Sequence, residues 1–234
     1  MSETKISDFK MLEKPPYKQP NPKTSLEVAI KGAIEEEKTY GPVFTELYIK
    51  YALQFAAQKY GGTPNEAIKT LDQLEKFLIS VSDKHPYALN AVIYAGSKAE
   101  SDLQGKSGAA VRIGMIGLSR KMMKEPSANE RSVDIDQLLA TFQKTLIQLE
   151  LAHCEVGYRK NDDESFDIIW PNCHIKDACR LAHDEGSLGR IIGGMQCVSC
   201  AGMLQFLKLL SGRDWDYELL EFDKPHCVAK IFMV

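Results

Sequence analysis

The sequence predicts an α+β protein, with a four-stranded antiparallel sheet packed with helices and preceded by a helical N-terminal region. Three observations carry this. Apolar residues recur at helical spacing from Thr24 to about Gly105. Period-two alternation then takes over in two stretches near the C-terminus, each broken by a polar turn. Helical segments precede and separate those two stretches, so helices and paired strands share one core.

Residues 1–23 hold Pro15, Pro16, Pro20 and Pro22, with little apolar content beyond Ile6, Phe9, Met11 and Leu12. Such a segment favours extended backbone and is expected to be a flexible arm that buries little. A sharper reading makes Phe9, Met11, Leu12 and Tyr17 anchors on a partner subunit.

Residues 24–108 form the helical region. Thr24 or Ser25 reads as the first helix start. Val43, Leu47, Tyr51 and Phe55 give a stripe that ends at Gly61-Gly62. Thr63-Pro64-Asn65-Glu66 reads as a capped start, with proline in the first turn. Ile68, Leu71, Leu74, Phe77 and Leu78 follow it, and Pro86 opens another helix through Leu89, Val92 and Ile93.

Residues 109–234 form the α+β domain. A helix is expected over Val111 to Lys124, then a loop. Asp134 starts an amphipathic helix with Ile135, Leu138, Leu139, Phe142, Leu146 and Leu149. Cys154, Val156 and Tyr158 alternate on one side of Asn161-Asp162-Asp163-Glu164, and Phe166, Ile168 and Trp170 on the other, which is a hairpin. These three apolar residues should face the core. Met203 to Leu210 is a helix ended by Ser211-Gly212. Trp215 to Phe222 and Val228 to Val234 make the second strand pair. Its alternation places Trp215, Tyr217, Leu219 and Glu221 on one face.

Composition narrows the function. The 234 residues are 44% hydrophobic and 26% charged, an ordinary globular balance. A net charge of −3 argues against nucleic acid. No apolar run approaches a membrane span, and the N-terminus has no signal-peptide core. The expected location is cytoplasmic, where six cysteines act as thiols or metal ligands sooner than disulfides. All six lie in the last third: Cys154, Cys173, Cys179, Cys197, Cys200 and Cys227.

Cys197-Val198-Ser199-Cys200 is a C-x-x-C whose spacing lets two thiolates reach one tetrahedral ion. Cys227 and Cys173 are further single candidates, and His174 stands beside Cys173. Three readings stay open. The cysteines hold zinc, or an iron–sulfur cluster that the same thiols would suit. Alternatively, the C-x-x-C is a redox or nucleophilic pair with a thiol activated by the following helix start. In the third reading the cysteines are buried small apolar residues. Cys154, alternating with Val156, belongs with core packing.

The order of these features resembles a known family. Arg112-Ile113-Gly114-Met115-Ile116-Gly117, the helix from Asp134 running into the strand at Cys154, Gln196-Cys197 with Gly202, and Gly212, Tyr217-Glu218 and Lys224-Pro225-His226-Cys227 follow one another as in the 4-vinyl-reductase-like, or hydrocarbon-binding, domain. The resemblance covers about half the chain. Asn172-Cys173-His174 with Cys197 and Cys227 is also similar, more weakly, to 2-amino-thiazoline-carboxylate hydrolase-like proteins. The resemblance implies a small apolar or aromatic ligand, and a homodimer or a place in a larger complex. It also implies a zinc held by Cys197, Cys227 and Glu218. The family's further cysteine after that glutamate is missing here, which leaves its place to Cys200 or Cys173. An enzyme acting on a small heterocycle or tetrapyrrole is the alternative, and no glycine-rich dinucleotide fingerprint supports it.

Overall fold

The computed structural model describes residues 4–18, 20–61, 67–82, 88–104, 131, 134–152, 154–185, 190–191, 194–195, 197–224 and 226–234. The expected helix over 111–124, the Arg112–Gly117 motif, the Thr63 cap and the Pro86 start lie outside them.

Four helices build the N-terminal layer. In α1 (Pro22–Tyr40) the Asn21 side chain accepts the N–H groups of Lys23 and Thr24 at 3.0 and 3.3 Å, with proline in the first turn. The helix therefore starts slightly before the expected Thr24, because asparagine caps and Pro22 has no N–H to satisfy. Gly41 (φ 77°) ends α1, and Pro42 starts α2 (Pro42–Tyr60), closed in turn by Gly61 (φ 79°). α3 (Leu71–Ser82) starts at a reciprocal cap. Thr70 Oγ1 accepts from Gln73 N–H, and Gln73 Oε1 accepts from Thr70 N–H, both at 3.2 Å. α4 (Ala88–Gln104) lies against α1 and α2. Leu26, Phe44, Phe55, Leu74 and Leu78 fill this core. Ala52, Ala91, Ala95 and Ala99 are fully buried beside them, which lets the helix backbones approach closely. Among the described residues no helix is long and apolar enough to cross a membrane.

A pair of carboxylates is sealed in this layer. Glu36 of α1 is buried and hydrogen-bonded to Glu100 of α4, with Tyr48 of α2 beside them. Burial pushes the Glu36 carboxyl from 4.5 up to about 8, a rise partly offset by the Glu100 hydrogen bond.

The C-terminal half is α5 (Ile135–Gln148), β2 (Gly157–Lys160), β3 (Phe166–Trp170), α6 (Lys176–Asp184), the small ribbon β4 (Arg190–Ile191) with β5 (Gly194–Met195), α7 (Val198–Ser211), β6 (Trp215–Lys224) and β7 (His226–Met233). Asp134 caps α5 by accepting Gln137 N–H at 2.9 Å, and Gly212 (φ 71°) closes α7. Both expected hairpins form, the first with the predicted alternation and the second with it as far as Leu219. Phe166, Ile168 and Trp170 point inward with Trp215, Tyr217, Ala229 and Ile231. There they meet Leu138, Leu139 and Phe142 of α5 and Met203, Leu204 and Leu207 of α7.

The sheet has five strands, in the order β1-β2-β3-β7-β6, all antiparallel. The fifth strand, β1 (Lys10–Met11), comes from the arm, so the expected four-stranded sheet is corrected, although of residues 4–18 only Phe9 and Pro15 are buried. The Thr4 hydroxyl donates to Glu221, and His226 Nε2 lies 3.2 Å from the Thr4 carbonyl. Phe9 then packs on Ile169 and Val228 on the outer face, under the Arg159 guanidinium at 5.1 Å. Beyond β1, Leu12 N–H donates to Val156 carbonyl at 2.9 Å and its side chain meets the inner core. The arm's anchors are thus used within its own chain. Every residue of β3 is buried: Phe166, Ile168 and Trp170 under the helices, Ile169 under Phe9 of the arm, and Asp167 with its carboxylate taking Arg159 at 2.6 Å and Asn161 at 2.9 Å.

Gly157 is glycine because the arm lies on it. A Cβ there would stand 2.6 Å from Met11 Sδ, 3.0 Å from Ile169 Cγ2 and 3.2 Å from Phe9 Cβ. Gly157→Val is expected to lift the arm and leave the sheet intact. Hydrogen exchange at Lys10 to Leu12 should accelerate while β3 and β7 stay protected, and unchanged exchange in the arm would count against this packing. Glu36 sets a pH dependence. Its raised value means the native chain keeps a proton that the unfolded chain loses near 4.5. The stability from this proton is full below that pH and is lost as the pH rises towards 8. Glu36→Gln should flatten the Tm profile across that window and raise Tm at pH 8. A Tm profile parallel to wild type would reject this.

Candidate functional site

Five of the six cysteines, scattered over 154–227 in sequence, belong to the inner core or pack against it, and Cys179 lies near enough to feel Cys197, Cys173 and Cys227. Cys154 precedes β2, and Cys173 follows β3 in a turn where Asn172 takes the left-handed conformation (φ 54°). Cys179 lies on α6, Cys197 is the N-cap of α7, and Cys200 sits in its first turn. Cys227 stands on β7 directly opposite Trp170. Cys154, Cys179, Cys197 and Cys200 are buried, Cys173 and Cys227 half-buried, and none is in a disulfide.

Two thiol pairs form. The Cys154 thiol donates to Cys173, and the Cys200 thiol donates to Cys197. Burial pushes the thiols of Cys154, Cys179 and Cys200 well up, and each also feels neighbouring cysteines. Cys197 moves the other way. The Cys200 hydrogen bond lowers it first, against the cost of burial, and the backbone N–H groups of Cys200 and Ser199 lower it further without closing a cap hydrogen bond. A developing thiolate at Cys197 is therefore stabilised by the start of a 14-residue helix. As the side chains stand, no three His, Cys, Asp or Glu groups among the described residues are gathered to hold a metal ion.

Of the residues expected to ligate, Cys173, Cys197, Cys200 and Cys227 are brought to this cluster and Glu218 is not. Glu218 is exposed on the outer face, opposite Lys230. Glu221 also leaves the cysteine face. The register shifts between Leu219 and Glu221, so Leu219 pairs with Ala229 and Glu221 with Val228, an outer-face residue. The irregularity breaks the alternation that placed Glu221 beside Tyr217. Cys154, assigned to plain core packing, lies in the cluster. Its alternation with Val156 already placed it on the inner face.

Sequence reasoning missed Tyr217 as a support. Its hydroxyl oxygen accepts the Cys197 N–H at 2.8 Å, tying β6 to the start of α7. Its inward parity was legible, but not its partner. Asn90 on α4 was missed too. Its amide donates to the His174 carbonyl at 2.7 Å and accepts the Ala178 N–H at 3.0 Å, fixing the start of α6.

Comparison with known proteins finds no matching family model, no matching curated protein and no matching solved structure.

Tyr217→Phe removes the acceptor of a buried N–H. It should cost about 1–3 kcal/mol by denaturant unfolding, and a cost under about 0.5 kcal/mol would show that the hydroxyl is not needed there.

Proposed function

We propose that this protein is a cytoplasmic binding module in which Cys173, Cys197, Cys200 and Cys227 hold a soft metal ion, zinc above all, beside a small-molecule site. One observation carries the reading. Cysteines from separate segments of the chain converge on a single core. Burial of small apolar side chains alone has no reason to gather five of the six in one core. The donor set fits the ion, since thiolates are the preferred partners of zinc and of iron–sulfur clusters. When bound, such an ion supplies a structural cross-link.

The chain's own residues set up the rest. Tyr217 fixes the Cys197 backbone, Asn90 fixes the turn that carries Cys173, and the Trp170 pairing fixes Cys227. Glu218 has no part in this reading. A resemblance to the hydrocarbon-binding domain remains part of the proposal, with a small apolar or aromatic ligand and a homodimer or a larger complex as its setting.

A second reading is favoured by the lowered Cys197 thiol with Cys200 beside it. This is an enzyme in which Cys197 acts as a nucleophile or redox thiol.

Elemental analysis of protein purified without chelator decides between them. About one equivalent of zinc or iron is expected, and less than about a tenth of an equivalent of any transition metal rejects the metal centre. Cys200→Ser should release the metal and loosen the β6–β7 hairpin, while Cys154→Ser should retain it. Rapid alkylation of Cys197 in metal-free wild type would put the enzyme reading first.

A further inference from the structure

The arm does more than extend the sheet. Beyond β1 it passes the end of the sheet near Cys154 and borders a half-open cavity of about 360 Å³. That is the size of a small-molecule site. Among the described residues, Leu138, Leu139, Phe166, Ile168, Trp170 and Met203 pack the helix–sheet interior where a ligand was expected.

The chemistry of the cavity wall is one-sided. Its carboxylate, Glu155, is engaged by Lys14 at 2.5 Å. Lys18 also lines the cavity and has no ion-pair partner among the described residues. Tyr17 accepts the Ala152 N–H at 3.1 Å through its oxygen, which leaves its O–H to donate. Asn172, exposed in its left-handed turn, adds an amide donor. An ammonium, a phenol and an amide therefore face a space whose acidic group is already neutralised. The rings of Pro15, Pro16 and Tyr17 supply apolar surface. Cys154 lines the same space, hydrogen-bonded to Cys173 behind it.

We propose that this cavity binds a small molecule with an apolar body and a carboxylate, held by Lys18, Asn172 and Tyr17 against Cys154, with the proline-rich arm as its outer wall. The inference rests on the proposed binding module for its setting. Cys154 is outside the proposed ligand set but touches it through Cys173.

Iodoacetate and iodoacetamide test it directly. They differ in one carboxylate, and each alkylates a thiol in the same way. The sulfur displaces iodide from the CH2 carbon, a thioether forms, and the thiol proton goes to solvent. Labelling of Cys154 in the native full-length chain would be followed by peptide mass spectrometry and compared with the urea-unfolded chain. The ratio of iodoacetate to iodoacetamide rates should be about five-fold or more higher in the native chain, the effect of one nearby uncompensated cation. Lys18→Gln, at an exposed position, should return the ratio to the unfolded value, and because any change in thiolate fraction slows both reagents alike it cancels in that ratio. Equal ratios in native and unfolded chains would overturn the proposal, as would a native Cys154 silent to both reagents. Metal content of the same sample separates the two readings. Charge-selective labelling of a metal-free protein sinks only the metal centre, and charge-blind labelling of a metal-loaded protein sinks only the cavity.

Discussion

The pairing of Trp170 with Cys227 across β3 and β7 decides which residues meet in this protein. Because strand side chains alternate faces, a slip of one residue would carry Cys227 to the outer face and away from the other thiols. The register is held from both sides. On the inner face Phe166 meets Ile231 across the strands and the Trp215 ring at 6.0 Å. On the outer face Asp167 pairs with Arg159 and stands opposite Lys230, which reaches Asp163 at 2.6 Å. A slip taken up by β3 instead would drive the Asp167 carboxylate into the apolar core without a cation, a cost of several kcal/mol. Packing on one face and charge on the other thus select the same register, and the cysteine cluster follows from it.

The helical layer gains a role from this arrangement. It carries no evident chemistry of its own, yet it positions the segment that brings Cys173 and Cys179. Asn90 satisfies a carbonyl and an N–H at the start of α6, where the helix has no side-chain cap. Further along, Tyr94 donates to Glu185 at 2.6 Å, with Lys98 at 3.7 Å from the same carboxylate. Both ends of α6 are therefore fixed by α4. This short helix has little hydrophobic surface beyond Ile175, Ala178, Cys179 and Ala182. Polar contacts with specific geometry replace the bulk burial that a longer helix would use.

Much of this fold was legible because burial imposes a period. The stripe of α2, the face of α5 and both hairpins repeat apolar residues every 3.6 or 2 positions, and the structure uses them so. The arm escaped for the opposite reason. It contacts the fold through single residues, with Phe9 outside, Leu12 inside, and backbone pairing at Lys10 and Met11. None of these repeats. A glycine inside a strand was the available clue, since Gly157 marks a close approach. In the site, C-x-x-C spacing and inward parity located Cys197, Cys200 and Cys154. Glu218 and Glu221 failed because parity is only as good as the pairing, and the irregularity at Leu220 resets it. Supports such as Tyr217 and Asn90 bond to backbone atoms distant in sequence, and no local pattern encodes such partners.

The arm's attachment also bears on how a cavity under it is reached. Its strand is two residues long, and its largest buried anchor is Phe9, whose burial contributes about 1.5–3 kcal/mol. At its far end, the Asn21 N–H donates to the Glu150 carbonyl while the Asn21 side chain caps α1. Peeling residues 4–18 therefore breaks a few net hydrogen bonds, lifts Phe9 off the outer face and Leu12 off the edge of the inner core, and leaves α1 capped. Such an opening costs less than unfolding the domain, so it occurs as a local event within the native state. Its cost is still large enough to keep the arm closed most of the time. The segment that completes the sheet edge is thus the segment best placed to admit a ligand to Cys154.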